Sequence, residues 1–240
     1  MKKLSIYLLY TLLSCFVFTN TLNAAGNGSF TVLLKKHVKP SGLVNYKGFL
    51  ADESELNGYL EDLSNNSPTA SWSKNERISY WINVYNAFTI KLIIDNYPVK
   101  SILDINEGKP WDLAFIKIGE KTYSLNHVEN EILRKEFDEP RIHFAINCAS
   151  ISCPNLLNKA FEAETLNSQL ELVTKIFINN PERNVITPSA IKISKLFDWF
   201  KSDFDNAGGV TAFVDRYTEV KISSSAKILY DDYNWNLNEL

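Results

Sequence analysis

The sequence predicts an α+β fold: a single mixed domain with a buried central helix at about residues 74–96, short antiparallel strands and surrounding helices. The 240-residue chain is 45% hydrophobic and 22% charged, which is typical of a globular protein with a substantial core. Helical and β-prone segments both occur along it, and neither a linker nor an internal repeat divides residues 26–240. We therefore expect one domain rather than a repeat array or a disordered chain.

The N-terminal 25 residues have the form of a secretory signal peptide. Two lysines precede an apolar run over residues 4–18, and small residues follow it. We expect cleavage after Ala24 or Ala25 and a periplasmic or secreted mature protein. The apolar run is too short for a stable membrane span, which needs about 20 residues. The sequence that ends at Cys15 is similar to a lipobox, the motif of lipoproteins. Bulky Leu13 and the apolar residues after the cysteine disfavour a lipoprotein.

The first half of the mature chain begins with a short apolar stretch after Ser29 and contains two expected helices. A turn at residues 40–42 precedes a helix from about Glu53 to Leu63. Ser73 and Glu76 match a capping box, so the central helix should begin there and run towards the proline at position 98. Apolar residues lie on almost all sides of this helix, which predicts that it is buried.

The second half mixes hairpin, strand and helix signals. β-prone residues on both sides of a Gly-Glu pair predict a hairpin at Phe115–Leu125. Residues 126–129 resemble a second capping box, which would open a helix to about Phe137. The remaining expected elements are a helix at Glu162–Asn179, a helix through Tyr217, and short strands at Val185–Thr187, Ala190–Ile193, Val220–Ile222 and Lys227–Tyr230.

Two asparagines of the central helix, Asn83 and Asn86, lie three residues apart on its second apolar face. A buried amide without a hydrogen bond costs about 1–3 kcal/mol, so both need partners. One interpretation makes them substrate-binding groups together with Asn147. The other is that they tie a neighbouring loop to the core.

The segment from residue 140 to 156 carries the richest chemistry, because a histidine, an asparagine and two cysteines occur within eleven positions. Thiol catalysis would use Cys148 as nucleophile, with His143 or, less favourably, His127 as base and Glu129 to orient the ring. A strand-like run before Cys148 would place His143 on the opposite face, so a bend near Asn147 is required. The alternatives are that Glu129 completes the capping box and that His143 is a buried residue bonded to backbone.

Cys148 and Cys153 remain as the two cysteines of the mature chain, and an even pair in an exported protein indicates a disulfide. A metal site built from both cysteines and a histidine is disfavoured, since their spacing is at the edge of zinc patterns and no second pair exists. We expect no metal and no cofactor.

The sequence resembles domain-of-unknown-function family 547 over roughly residues 46–238. Three stretches carry the resemblance: residues 80–90, residues 141–156 and the closing Tyr-Asn-Trp-Asn-Leu-Asn. The family occurs in exported bacterial proteins and in plant proteins, and it implies little about activity. Members often have histidine where this chain has Asn130 and aspartate where it has Asn234, so this chain lacks the side chains for a mechanism that needs either group.

Two functions stay open at this point, and the chain is not assigned as an enzyme by sequence alone. One is a thiol-dependent hydrolase or transferase on amide or thioester bonds of an envelope substrate. The other is a non-enzymatic binding module for a protein partner, with a structural disulfide. Without the two leader lysines the mature chain has 23 basic and 28 acidic residues, a net charge of −5. No basic block is present, which disfavours nucleic acid as a partner.

Overall fold

The computed structural model describes residues 26–240, and the expected signal peptide lies outside them. The α+β prediction is confirmed. The helices are α1 (Asn27–His37), α2 (Tyr46–Ala51), α3 (Glu53–Asn65), α4 (Lys74–Asp95), α5 (Leu166–Ile178), α6 (Leu196–Trp199) and α7 (Gly209–Asp215), with a π-helix at His127–Leu133. Shorter 3-10 helices cover Ile102–Asp104, Asn106–Gly108, Pro110–Asp112, Pro140–Phe144 and Lys201–Ala207.

Helix α4 is the buried centre of the fold. The expected capping box is present: the Ser73 hydroxyl accepts from the Glu76 amide, and the Glu76 carboxylate accepts from the Ser73 amide. Buried residues occur on all sides of α4, and α2, α3 and the π-helix pack against it. The helix can therefore carry polar side chains that reach several surrounding segments at once.

The strands form two small sheets. Strands β1 (Ile116–Ile118) and β2 (Lys121–Tyr123) make the expected antiparallel hairpin. In the second sheet β4 (Ala190–Ile193) pairs antiparallel with β3 (Val185–Ile186) and parallel with β5 (Lys227–Tyr230). The parallel pair is possible because the long crossover through α6 and α7 separates its two strands, whereas a hairpin turn permits antiparallel pairing alone.

Some local expectations were wrong. Residues 27–37 form α1, where the sequence indicated only a short apolar stretch, because they have little apolar periodicity and no side-chain cap. Residues Val220–Ile222 form no strand, because the Ile222 amide donates to the Asp215 carboxylate instead of to a neighbouring strand. The apolar run before Cys148 is a 3-10 helix, not a strand.

The C-terminal tail crosses the protein as an extended segment and pairs with the cysteine loop, which we define as residues 147–154. The amides of Ile151 and Ser152 donate to carbonyls of residues 236 and 234, and the Asn238 amide donates to the Ala149 carbonyl. The tail thus brings Tyr233 and Trp235 next to the cysteines. Within residues 26–240, no helix is long and apolar enough to cross a membrane.

Candidate active site

A pocket of about 430 Å³ lies between the π-helix, the cysteine loop, α6 and the C-terminal tail. We call it the site pocket. Its size is within the range of small-molecule sites. Aromatic side chains form much of its lining: Tyr85, Trp111, Trp199, Phe200, Tyr233 and Trp235. Polar and sulfur-bearing side chains complete it: Lys109, Asp112, Asn126, Glu129, Asn130, His143, Cys148 and Cys153.

Glu129 lines the site pocket, and the helix that carries it is not capped as expected. The Ser124 hydroxyl, not Asn126, accepts the first free amide, that of His127. The capping-box interpretation of Glu129 was therefore wrong. The Arg134 amide donates to the Glu129 carbonyl at 2.9 Å, a bond five residues long that defines a π-helix. This π-helical turn is part of the segment that places the Glu129 side chain in the site pocket.

The Glu129 carboxyl is buried and joined to a short chain of hydrogen bonds. Its Oε2 accepts from the Tyr85 hydroxyl at 3.1 Å, and that hydroxyl accepts from Trp111 Nε1 at 3.1 Å. Burial raises the pKa of Glu129 to about 7, although the Tyr85 bond and the Arg134 charge favour its ionised form. Near neutral pH this carboxyl can both donate and accept a proton.

His143 is held by the half-buried ion pair of Asp203 and Arg134, which corrects the alternative that it is bonded to backbone. Its Nε2 lies 2.7 Å from Asp203 Oδ2, and the Arg134 guanidinium binds the same carboxylate through Nε at 2.6 Å and Nη2 at 2.8 Å. The ring also stacks on Phe200, with centroids 4.2 Å apart. Both the position and the plane of the imidazole are therefore fixed.

The charges around His143 determine its protonation. Burial raises the pKa of Asp203, but hydrogen bonds from Arg134 and His143 outweigh it and hold that pKa well below its usual range. Burial lowers the pKa of His143, against the opposing effect of Asp203. Because the ionised carboxylate can only accept, Nε2 carries the proton of the neutral ring. The lone pair of His143 is then on Nδ1, where it can act as a base.

Cys148 and Cys153 form a disulfide in the wall of the site pocket. The two sulfurs are not equivalent, since Cys148 is half-buried and Cys153 is buried. Cys148 Sγ lies 3.2 Å from the Tyr233 hydroxyl and 3.3 Å from the Ser150 hydroxyl. In this state neither sulfur is a free nucleophile.

A bend at Asn147 brings His143 and Cys148 to one pocket. The Asn147 side-chain oxygen Oδ1 accepts from the Ala149 amide at 2.9 Å, and its Nδ2 donates to the Pro154 carbonyl at 2.8 Å. Ala149 has a φ of 59°, in the left-handed region. The chain therefore turns sharply after the 3-10 helix, as thiol chemistry would require. Asn147 itself does not line the pocket and instead shapes the loop.

Asn83 and Asn86 also lie outside the lining of the site pocket. Asn83 is bonded to both the amide and the carbonyl of Phe161, at 2.9 and 2.8 Å. Asn86 accepts from the Asn147 amide at 2.8 Å and donates to the Ala145 carbonyl at 2.9 Å. Both amides therefore bind backbone of surrounding segments to α4, and Asn86 anchors the start of the cysteine loop.

His127 lies in a different groove, beside the β1–β2 hairpin, and packs against Tyr123 with ring centroids 5.0 Å apart. It does not line the site pocket, whereas His143 does. Of the two candidate bases, His143 is therefore the one brought together with Cys148 and Glu129.

Several site residues were not identified from the sequence. Asp203 and Arg134 are 60 and 9 residues from His143 in sequence, and no short motif joins them. Tyr233 and Trp235 of the C-terminal tail were identified in the sequence only as part of a stretch that resembles the family. The one available signal for Asp203 was its position as an acid between Phe200 and Phe204 in an aromatic-rich segment. In the part of the chain that is described, no group of His, Cys, Asp and Glu side chains could hold a metal ion.

Residues 69–178 match the family model described as protein of unknown function, DUF547. The match supports the resemblance found in the sequence, and the description assigns no activity. The matched region contains Glu129, His143 and both cysteines, while Asp203 and the tail aromatics follow it. No curated protein and no solved structure matches the chain.

Proposed function

We propose that the site pocket is the active site of a thiol-dependent hydrolase or transferase for amide or thioester bonds, active when the Cys148–Cys153 disulfide is reduced. The observation that carries this proposal is the meeting of Cys148 with His143 in one pocket, with the histidine oriented by Asp203 and Arg134. Nucleophile, base and orienting carboxylate are the parts that acyl-transfer chemistry needs.

The reaction can be written from these groups. A dithiol reductant first converts the disulfide to two thiols and is itself oxidised to a disulfide. His143 Nδ1 then takes the Cys148 proton, and the thiolate attacks the substrate carbonyl. A carbon–sulfur bond forms, the bond to the amine or thiol leaving group breaks, and the imidazolium returns the proton to that group. Water, or an acceptor nucleophile in a transferase, releases the acyl group from Cys148.

Accessibility favours Cys148 over Cys153 as nucleophile. Cys148 is half-buried at the pocket surface, while Cys153 is only 5% exposed. The Cys148 amide also points to Cys153 Sγ at 2.8 Å, so Cys153 is the sulfur that is stabilised as the leaving thiolate during reduction. Cys153 then acts as a resolving thiol rather than as a second nucleophile.

Release of thiophenol from an aryl thioester, with iodoacetamide labelling followed by mass spectrometry, tests the proposal. We expect the oxidised protein to be inactive and unlabelled, and the reduced protein to be active with Cys148 labelled first. Cys153→Ser should be active without reductant because its Cys148 cannot be bridged, whereas Cys148→Ser should be inactive in either state. Equal inactivity of both variants, with unchanged melting temperatures, would refute the thiol mechanism.

A matched pair of histidine variants tests the base. His143→Gln should slow alkylation of Cys148 in the reduced protein, since the thiolate loses its proton acceptor. His127→Gln removes a histidine from the other groove and should leave alkylation unchanged. If both variants alkylate like the parent protein, His143 is not the base.

One observation favours a second function, a non-enzymatic binding module, namely that the two cysteines form a disulfide. Under that function the two sulfurs are equivalent halves of one structural bond. Either serine variant would then lose similar stability, at most about 2–3 kcal/mol for so short a loop, and neither would release the thiophenol. The thioester experiment therefore separates the two functions.

We further propose that the protein is an exported bacterial member of the DUF547 family, periplasmic or secreted, with residues 1–25 as its signal peptide. The lysines, the apolar run and the small residues of that segment support export, and so does a disulfide, which persists in oxidising compartments. Sequencing the N-terminus of the protein recovered outside the cytoplasm should give Ala25 or Gly26. Recovery of a cytoplasmic protein that still begins at Met1 would contradict export.

A further inference from the structure

One wall of the site pocket is a row of connected polar side chains. Arg134 donates to Asn130, Asn130 donates to Asn126, and Asn126 donates to Asp112 at 3.2 Å. Asn126, Asn130 and Arg134 are four positions apart in and next to the π-helix, so they lie along one side of this segment. Asn126, Asn130 and Asp112 line the pocket. Each amide keeps a second N–H, and Asp112 keeps a free oxygen, for a ligand in the pocket.

Another wall consists of aromatic rings in mutual contact, which we call the aromatic wall: Trp199, Tyr233 and Trp235. The ring centroids of Trp199 and Trp235 are 5.8 Å apart with planes 20° apart, and Tyr233 lies 4.4 Å from Trp235 and 4.8 Å from Trp199. Trp199 is 46% exposed, although a large apolar side chain gains free energy by burial. The aromatic wall therefore offers a preformed apolar face to a ligand.

The charged groups of the pocket nearly balance one another. Lys109 and Asp112 line it with opposite charges. Beside the pocket Asp203 is paired with Arg134, and the Glu129 carboxyl is already bonded to a tyrosine hydroxyl. The pocket has one lysine rather than the cluster of cations that a phosphate needs, and the Asp112 carboxylate already accepts from the Asn126 amide. The ligand that fits best is uncharged, with one apolar face and several hydroxyl or amide groups.

From the pairing of an aromatic wall with a polar row, we propose that the site pocket binds a neutral saccharide. Its C–H face packs on the Trp199 and Trp235 rings, and its hydroxyls bond to Asn126, Asn130 and Asp112. The proposal gives the substrate class of the proposed enzyme. It rests on that function only because both use the same pocket. The Tyr233 hydroxyl, at the end of the aromatic wall, is 3.2 Å from Cys148 Sγ, so a substituent of the bound sugar lies beside the sulfur.

Isothermal titration calorimetry with four oligosaccharide and sugar probes tests the ligand class. The neutral probes are the N-acetylglucosamine trimer and maltotriose; the charged probes are the cationic glucosamine trimer and the anionic glucose 6-phosphate. We expect at least one neutral probe to bind with a dissociation constant on the order of 1 mM or tighter, and to bind more tightly than either charged probe. Absence of neutral binding, or tighter binding of a charged probe, would overturn the proposal.

Variants locate the binding. Trp199→Ala and Asn126→Ala should each weaken neutral-saccharide binding by roughly tenfold, because they remove a ring contact and a polar contact. Trp199→Phe should recover part of the loss, which excludes unfolding as its cause. Trp72→Ala, at a half-buried tryptophan in the groove beside the hairpin, is the matched control and should bind normally. Unchanged binding in both pocket variants would also overturn the proposal.

The oxidised protein separates this inference from the proposed function. It cannot carry out thiol chemistry while the Cys148–Cys153 bond is closed, but its aromatic wall and polar row are intact, so it should bind the neutral saccharide without cleaving the thioester. Saccharide binding without thioester cleavage in the reduced protein would sustain the inference and refute the thiol mechanism. Thioester cleavage without binding of any neutral saccharide would do the reverse.

Discussion

Replacing Glu129 by glutamine should stabilise the protein at alkaline pH much more than at acidic pH. Burial raises the pKa of this carboxyl from its ordinary value of 4.5 to about 7, so between these values the folded protein holds a proton that the unfolded chain has lost. The free energy of unfolding therefore falls as pH rises through this interval, by about 3 kcal/mol in all. Glutamine is neutral at every pH, has the shape of the protonated acid and can keep the Tyr85 bond.

The neighbouring titratable groups do not obscure this difference. The pKa of Asp203 is held below the interval, while the pKa values of Arg134 and Tyr85 are raised further above it. Burial lowers the pKa of His143 from 6.5, so His143 reduces stability as pH falls, in the opposite direction to Glu129. Because His143 is present in both proteins, its contribution cancels when the variant is compared with the parent.

Urea unfolding of both proteins at about pH 5 and about pH 8 measures the effect, and the variant should gain roughly 2–3 kcal/mol more at the higher pH. Glu131→Gln is the matched control. Glu131 is exposed on the same helix, and a hydrogen bond from Lys135 lowers its pKa, so it is ionised in both states over this range. Parallel pH curves for Glu129→Gln and the parent would show that the buried carboxyl is not protonated, and would refute the reasoning.

Two further substitutions test the framework of the site by urea unfolding near neutral pH. Asn83→Ala leaves the amide and the carbonyl of Phe161, in the loop before α5, unpaired and should cost about 2–4 kcal/mol. Asn75→Ala, at an exposed residue of the same helix, should change stability by less than about 0.5 kcal/mol, and similar losses would contradict the role of Asn83 in binding this loop to α4. Asp203→Asn removes the partner of half-buried Arg134 and should cost about 2–3 kcal/mol. Asp198→Asn breaks an exposed ion pair worth about 0–1 kcal/mol, so equal effects would mean that the Asp203–Arg134 pair does not support the fold.

The central helix was predictable because its signals are local. Ser73 and Glu76 are three residues apart and form the capping box that their types indicate. The apolar residues on all sides of the helix predicted its burial, and burial in turn required partners for Asn83 and Asn86. What the sequence could not specify was which backbone those amides bind, because Phe161 and Ala145 are 78 and 59 residues away.

The candidate site was only partly predictable, for a related reason. Cys148 and His143 were found by their chemistry and their position in one segment. Glu129 was assigned mainly to a capping box because its spacing from Asn126 fits that motif, yet Ser124 caps the helix and frees the carboxyl for the pocket. Asp203 reaches His143 through tertiary folding alone, and a residue type so common in loops carries no local signal of such a role.

The bend that presents Cys148 is held by hydrogen bonds in addition to the disulfide. Hydrogen bonds of the Asn147 side chain to Ala149 and Pro154 hold the turn, and the tail pairs with the loop on its other side. Closing a loop this short contributes only about 2 kcal/mol in the entropic account, and none of these hydrogen bonds involves a sulfur atom. The reduced protein should therefore keep Cys148 and His143 in one pocket, so that the disulfide found in the structure and the catalytic thiol that we propose would be two redox states of one site.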